Sequence, residues 1–173
     1  MRELILGGAR SGKSRYAQQL GSTNSNGKNV LFVATATADD AEMTARIAAH
    51  RRERPEQWQT IEEPIDLAGT VLKHVNEENF VIIDCLTMWM AKLQMIYADQ
   101  FERCEPLQDF YEAQVKIKGD VIYVSNEISM GVVPMGADTR AFVDSMGRLH
   151  QFLAKQCDKV TLMVAGIPHP VKS

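Results

Sequence analysis

The chain has 173 residues, 45% hydrophobic and 24% charged, with a formal net charge of −3. That is enough for one domain with its own core, read as spanning residues 1–173, and an ordinary composition for a soluble globular protein. A basic nucleic-acid-binding field is excluded, since acidic residues outnumber Lys and Arg by 22 to 19, and so is a membrane span, since apolar runs such as Val81-Ile82-Ile83 are far too short.

Leu4-Ile5-Leu6 is a short apolar strand that starts almost at the N-terminus, so no segment reads as a signal peptide. It leads directly into Gly7-Gly8-Ala9-Arg10-Ser11-Gly12-Lys13-Ser14, which fits the phosphate-binding P-loop pattern G-x-x-x-x-G-K-[ST]. Each part has a physical task. The glycines let backbone N–H groups turn toward phosphate oxygens, Lys13 reaches the β- and γ-phosphates, and the Ser14 hydroxyl suits Mg²⁺. A helix from Lys13 to Leu20 places the anion at a helix N-terminus, where unpaired N–H groups and the dipole favour it.

The turn-forming run Gly21 to Gly27 predicts a polar loop, and Val30 to Ala34 a second strand ending at Ala34-Thr35-Ala36. A helix is expected from Asp39 to about Arg54, capped by Thr37 or Asp39 and stopped by Pro55. Leu67 to His74 reads as a shorter helix. Phe80-Val81-Ile82-Ile83 is continuously apolar, as in a parallel strand covered on both faces. Leu86 to Gln100 reads as a helix with Leu86, Met90 and Leu93 on one side. Residues 94–118 carry the weakest pattern. Val121 to Val124 and Thr161 to Val164 read as strands, separated by a helix from Thr139 to Gln156 with an apolar stripe of Phe142, Met146, Leu149 and Leu153. Strands alternating with helices predict an α/β fold, P-loop NTPase-like (RecA-like), with a mainly parallel sheet flanked by helices. Ligands of such sheets bind beyond the carboxyl ends of the strands. The P-loop, Ala34-Thr35-Ala36, Asp84, Asn126-Glu127 and Gly166 all fall there.

Several residues could carry chemistry. Asp84 follows an apolar strand, where a Walker B carboxylate would hold Mg²⁺ together with Ser14; the plainer alternative is a cap for the helix from Leu86. His50 shares a helical stripe with Arg46 and Arg54, with Arg51 beside it. A neutral imidazole among guanidinium groups could take up a phosphoryl group, or could simply belong to a solvated basic face. Asn126-Glu127 could orient a nucleophile or form a capped turn, and Thr35 and Thr87 have the same two readings. His74, His150 and His169 have no motif around them and read as structural or exposed. Cys85, Cys104 and Cys157 show no C-x-x-C spacing, which suggests reduced thiols in the cytoplasm.

Taken together, these pieces resemble the bifunctional adenosylcobinamide kinase/adenosylcobinamide-phosphate guanylyltransferase family of cobalamin biosynthesis. The resemblance rests on Gly7 to Arg15, Ala34-Thr35, Glu42-Met43 through Arg46-Ile47 to His50, Arg54-Pro55 with Trp58, Asp84-Cys85-Leu86-Thr87, and Asn126-Glu127 to Gly131-Val132-Val133-Pro134. These stand in the family's order along nearly the whole chain. The resemblance implies phosphorylation of adenosylcobinamide by a nucleoside triphosphate (ATP or GTP), then transfer of GMP from GTP through a guanylylated histidine, which by position is His50. It further implies Mg²⁺, a homotrimer, catalytic roles for His50 and Lys13, and nucleotide contacts at Gly7, Gly8, Ala9, Arg10, Ser11, Gly12, Lys13, Ser14, Ala34, Thr35, Ala36, Arg51, Arg52, Glu53, Arg54, Glu62 and Asp84. The chain departs from the family pattern in having Ile128-Ser129 in place of Val-Gly, Asp84 in place of Glu, and Ile167-Pro168-His169-Pro170 after Gly166. From the residues alone, two other readings stand beside this one: a small-molecule P-loop kinase without a covalent intermediate, and a non-catalytic, regulatory nucleotide-binding ATPase module.

Overall fold

The run Phe80-Val81-Ile82-Ile83 divides by parity. Val81 and Ile83 join one apolar cluster and Phe80 and Ile82 another, all four at 0% exposure. A strand whose successive side chains point to opposite faces must be covered on both sides to bury them all, and the rest of the chain supplies the two covers.

The computed structural model describes residues 1–37, 41–52 and 54–173, and within 41–52 not the side chains of residues 42, 43, 46 and 49. The strands among the described residues are β1 (Arg2–Gly7), β2 (Asn29–Ala34), β3 (Gln59–Glu62), β4 (Asn79–Asp84), β5 (Asp120–Asn126), β6 (Lys159–Val164) and β7 (Ile167–Lys172). The helices are α1 (Lys13–Asn24), α2 (Ala41–Arg52), α3 (Leu67–His74), α4 (Leu86–Tyr97), α5 (Glu105–Lys116) and α6 (Ala137–Gln156), with a 3₁₀ segment (Ala98–Arg103) before α5. The sheet order is β3-β2-β4-β5-β1-β6-β7, parallel throughout except for β7, which returns antiparallel on β6. One face is packed by Leu67 and Val71 of α3, Trp89 and Leu93 of α4, Phe110 of α5, and Leu149 and Leu153 of α6. The other carries Ala17, Tyr16 and Leu20 of α1, together with Trp58. The expected mainly parallel α/β sheet flanked by helices is what the chain adopts.

Register decides what meets at the carboxyl edge. Ala34 pairs with Glu62 on one side and Asp84 on the other, so these three form a row. Gly7 pairs with Asn126. β5 lies between β4, which ends at Asp84, and β1, which ends at the P-loop.

Two expectations need correction, one falls partly outside the described residues, and one unread segment is filled in. The polar loop foreseen from Gly21 is helical as far as Asn24. Gly21 is buried, and a Cβ there would come within 2.8 Å of the Trp58 ring, so that glycine serves a close approach within the helix. The helix expected over 39–54 is described from Ala41 to Arg52, and its suggested cap Asp39 lies outside the described residues. α4 stops at Tyr97 instead of Gln100, because Ala98 takes a left-handed φ of 45° into the 3₁₀ segment. The weak region 94–118 contains α5, entered through a proline in its first turn. Neither β3 nor β7 was foreseen. β3 is four residues long, and β7 carries Pro168 and Pro170, which only an edge strand tolerates.

Candidate active site

The P-loop leaves β1 at Gly7, where a Cβ would come within 2.6 Å of both the Met163 carbonyl oxygen and Ser11 Oγ. Only glycine fits that passage. Gly12, at φ 93°, is the N-cap of α1, a left-handed position that glycine takes without strain. Neighbouring elements clamp the loop: the Glu127 N–H donates to the Gly7 carbonyl at 3.0 Å, and the Gly166 N–H to the Ser11 carbonyl at 3.0 Å. Gly8, Ala9 and Arg10 are exposed at its crest. Lys13 is 7% exposed and its Nζ donates to the Gly8 carbonyl at 2.6 Å, so the ammonium lies folded against the loop it would serve. Ser14 stands in the first turn of α1, where helix N–H groups favour an anion.

Asp84, at the end of β4, draws these parts together. Burial pushes its carboxyl pKa up; a hydrogen bond from Ser14 and the charges of His50, Arg54 and Lys13 work in the opposite direction. The carboxyl is therefore faced by the P-loop lysine and serine and by the histidine of α2. Burial outweighs these partners, so the net direction is upward. Ser14 and Asp84 offer two hard oxygens side by side, and Mg²⁺ commonly takes one or two protein oxygens and completes its shell with phosphates and water. Among the described residues no group of three or more His, Cys, Asp or Glu gathers to hold a metal.

His50 is half-buried in the last turn of α2, while Arg51 and Arg52 are exposed. The expected stripe of Arg46, His50 and Arg54 is corrected in one respect. Arg54 lies beyond α2 and turns inward: its guanidinium stacks 3.5 Å from the centroid of the Phe32 ring and Nη1 donates to Thr60 Oγ1 at 3.3 Å. It lies near Asp84, Arg51 and Glu62, and among the described residues its Nε has no hydrogen-bond partner. The side chain of Arg46, and Glu53 altogether, lie outside the described residues. Thr35 is 1% exposed and its hydroxyl is engaged within the protein, donating to the Cys85 carbonyl at 2.7 Å and accepting from the Cys85 N–H at 3.0 Å. It ties the end of β2 to the turn after Asp84, while Ala34 and Ala36 stay partly open beside it.

Asn126 and Glu127 follow β5. Glu127 Oε1 accepts from the Ser129 hydroxyl, the Ser129 N–H and the Met130 N–H. Burial pushes the Glu127 pKa up, but the Ser129 and Met130 hydrogen bonds prevail and hold it below the usual carboxylate range. Ser129 needs no left-handed backbone. Where the family pattern has glycine, it adds a donor to a capped turn. His74 is half-buried and His169 exposed. His150 is 8% exposed, with Nε2 at 2.8 Å from Ser125 Oγ. Nothing in one sequence marks that pairing, since the two residues lie on a strand and a helix 25 positions apart.

A family model described as cobinamide kinase / cobinamide phosphate guanyltransferase matches residues 3–171. The chain is 44% identical to the bifunctional adenosylcobalamin biosynthesis protein CobP of Pseudomonas aeruginosa, covering 99% of this chain and 98% of that protein. It is 35% identical to the bifunctional adenosylcobalamin biosynthesis protein CobU of Escherichia coli, covering 98% of each. It is 34% identical to the protein of the same name in Salmonella typhimurium, again over 98% of each. Among solved structures, an ATPase domain matches with a TM-score of 0.49 at 16% identity, over 93% of this chain and 68% of that one.

Proposed function

The chain belongs to the cobinamide kinase / cobinamide phosphate guanyltransferase family, and on that premise we propose that one strand-end site carries both transfers, with His50 holding GMP between them. The chain is a kinase and guanylyltransferase of cobalamin biosynthesis acting on cobinamide and its phosphate. A kinase for an unrelated small molecule and a regulatory ATPase module are no longer needed to account for the P-loop.

The supporting observation is the company kept by Asp84, whose carboxyl is faced by Ser14, Lys13, His50 and Arg54 at once. In the first transfer the triphosphate of ATP or GTP lies across residues 7–14, its oxygens on backbone N–H groups and Lys13. The hydroxyl of the adenosylcobinamide side chain attacks the γ-phosphorus, gives up its proton, and the nucleoside diphosphate leaves. In the second, a nitrogen of neutral His50 attacks the α-phosphorus of GTP. An N–P bond forms and the P–O bond to pyrophosphate breaks. An oxygen of adenosylcobinamide phosphate then attacks the same phosphorus; the N–P bond breaks, releasing the histidine as adenosyl-GDP-cobinamide forms. Arg51, Arg52 and Arg54, with Glu62, Ala34 and Ala36, line the nucleotide's side of the cleft, and Thr35 acts through the turn it holds. Ser14 and Asp84 would hold Mg²⁺, which supplies charge neutralisation at the phosphates.

Residues 1–173 act as a single nucleotide-binding domain in this reading, assembled as a homotrimer in the cytoplasm. Apolar side chains left exposed at Val164, Ile167 and Val171 on the β6–β7 edge support assembly, and none of the described helices is long and apolar enough to cross a membrane.

The test is incubation with GTP labelled at the α-phosphorus. Label is expected on the protein, acid-labile and alkali-stable as a phosphoramidate is, and absent from His50→Ala. Wild-type protein that stays unlabelled under conditions supporting phosphorylation of cobinamide would refute the covalent step.

A further inference from the structure

A buried polar chain runs from α6 into the edge that carries the site. His150 Nε2 lies 2.8 Å from Ser125 Oγ, and Ser125 Oγ lies 3.2 Å from Thr87 Oγ1. Thr87 Oγ1 in turn accepts the Asn126 N–H at 2.8 Å. Ser125 is 0% exposed, His150 8% and Thr87 9%, so water cannot take over these bonds. The far end of this chain, at Thr87 and Asn126, adjoins the transfer machinery. Thr87 sits in the first turn of α4, three residues after Asp84. One residue after Asn126, the Glu127 N–H donates to Gly7, the first residue of the P-loop. β5 is also the strand that separates the Asp84 strand from the P-loop strand. Whatever fixes the end of β5 therefore fixes the gap between Asp84 and the phosphates.

We propose that His150 is a positioning residue for both transfers, holding Ser125 and Thr87 so that Asp84 and the P-loop keep their spacing. The inference rests on the placement of the chemistry at this edge. Leucine or methionine would fill the same space, but neither offers Ser125 a partner at 2.8 Å. The Ser125 hydroxyl would then be free to rotate, and Thr87 would lose the side that orients it toward Asn126. Burial lowers the His150 pKa to about 4, the charge of Glu127 opposing, so the ring is neutral at working pH and serves as a fixed hydrogen-bonding partner. Transfer between phosphates depends on alignment, and a shift of about 1 Å costs up to about 10²-fold.

The test measures kcat and KM of cobinamide phosphorylation with thermal unfolding alongside. His150→Ala is expected to lower kcat about tenfold or more while the nucleotide KM changes less than about threefold. His150→Gln, which keeps an amide in reach of Ser125, is expected to recover most of the rate. Leu149→Ala, a core truncation on the same helix, is expected to lower the melting temperature at least as far with kcat intact. Combining His150→Ala with Thr87→Val is expected to cost little more than the worse single change, as for partners in one network. If His150→Ala does not fold, Ser125→Ala removes the same link from the strand side and carries the same expectation. The inference is overturned by a kcat within about twofold of wild type in His150→Ala or Ser125→Ala, by an equal fall in Leu149→Ala, or by additive losses in the double variant. Lys13→Ala run in parallel separates the premise from the inference. If it remains active, the site has been misplaced; if it is dead and His150→Ala is not, only the inference fails.

Discussion

Helices α1 and α2 are both 12 residues long and both come shortly after the end of a parallel strand, yet they are held very differently. α1 buries Lys13, Ala17 and Gly21, and Gly21 lies against Trp58 and Ile82. The described side chains of α2 at 41, 44, 45, 48, 51 and 52 are exposed, and Ile47 and His50 are half-buried. A helix of this length has little stability of its own in water and depends on the face it packs. The P-loop helix is thus fixed by its core, whereas the described side chains of the helix bearing His50 include none that is fully buried. The proposed two transfers use one residue from each helix, Lys13 from α1 and His50 from α2.

The largest effects should separate these two helices by chemistry. Lys13→Ala should lower both phosphorylation and guanylylation by about 10³-fold or more, since both need the triphosphate in the cradle. His50→Ala should abolish guanylylation by a similar or larger factor and leave cobinamide phosphorylation within about threefold. Separate assays of the two half-reactions check this. Equal loss of both in His50→Ala would mean that α2 belongs to the cradle, and the comparison would collapse.

A second consequence belongs to the fixed side alone. His150 titrates near 4 when folded, against 6.5 when free. Between those values the unfolded chain binds a proton that the folded chain refuses, so stability is full above about pH 6.5 and falls as the pH drops toward 4. The loss is at most ~3 kcal/mol. Denaturant unfolding at a series of pH values should show that slope, and His150→Gln should flatten it. A slope unchanged in His150→Gln would show that another group governs acid stability.

Most of this frame was legible in the sequence, and for identifiable reasons. The P-loop is a local pattern, so residues 7–14 declared themselves. The strand Phe80 to Ile83 declared itself because burial on both faces leaves a continuous apolar run. Leu67 to His74 was read with both boundaries right, having a capping Asp66 before it. What stayed hidden depends on distance in the chain. β3 has no apolar run and exists because Ala34 offers it an edge, and β7 looks unlike a strand until β6 is beside it. In the site, His50 could be named only by resemblance, since a histidine on a basic helix face reads the same with or without Asp84 in front of it. Arg54 was assigned to that face because spacing cannot show a chain that ends its helix at Arg52 and turns inward onto Phe32. The Ser125–His150 pair gave no signal at all.

The smaller predictions test the packing difference itself. In α1, Gly21→Ala adds a Cβ within 2.8 Å of Trp58 and 2.9 Å of Ile82 Cδ1. Overpacking of this kind should cost ~1–3 kcal/mol despite the better helix propensity of alanine. In α2 the converse change, Ala48→Gly at an exposed position, lowers local helix stability by ~1 kcal/mol. Because the described side chains of α2 bury little, that loss should appear as faster hydrogen exchange of its amides and a modest fall in guanylylation, with the global melting temperature shifted by less than about 2 °C. If Ala48→Gly lowers the melting temperature as far as Gly21→Ala does, α2 unfolds with the core, and the proposed nucleophile stands on an element as firmly fixed as the cradle.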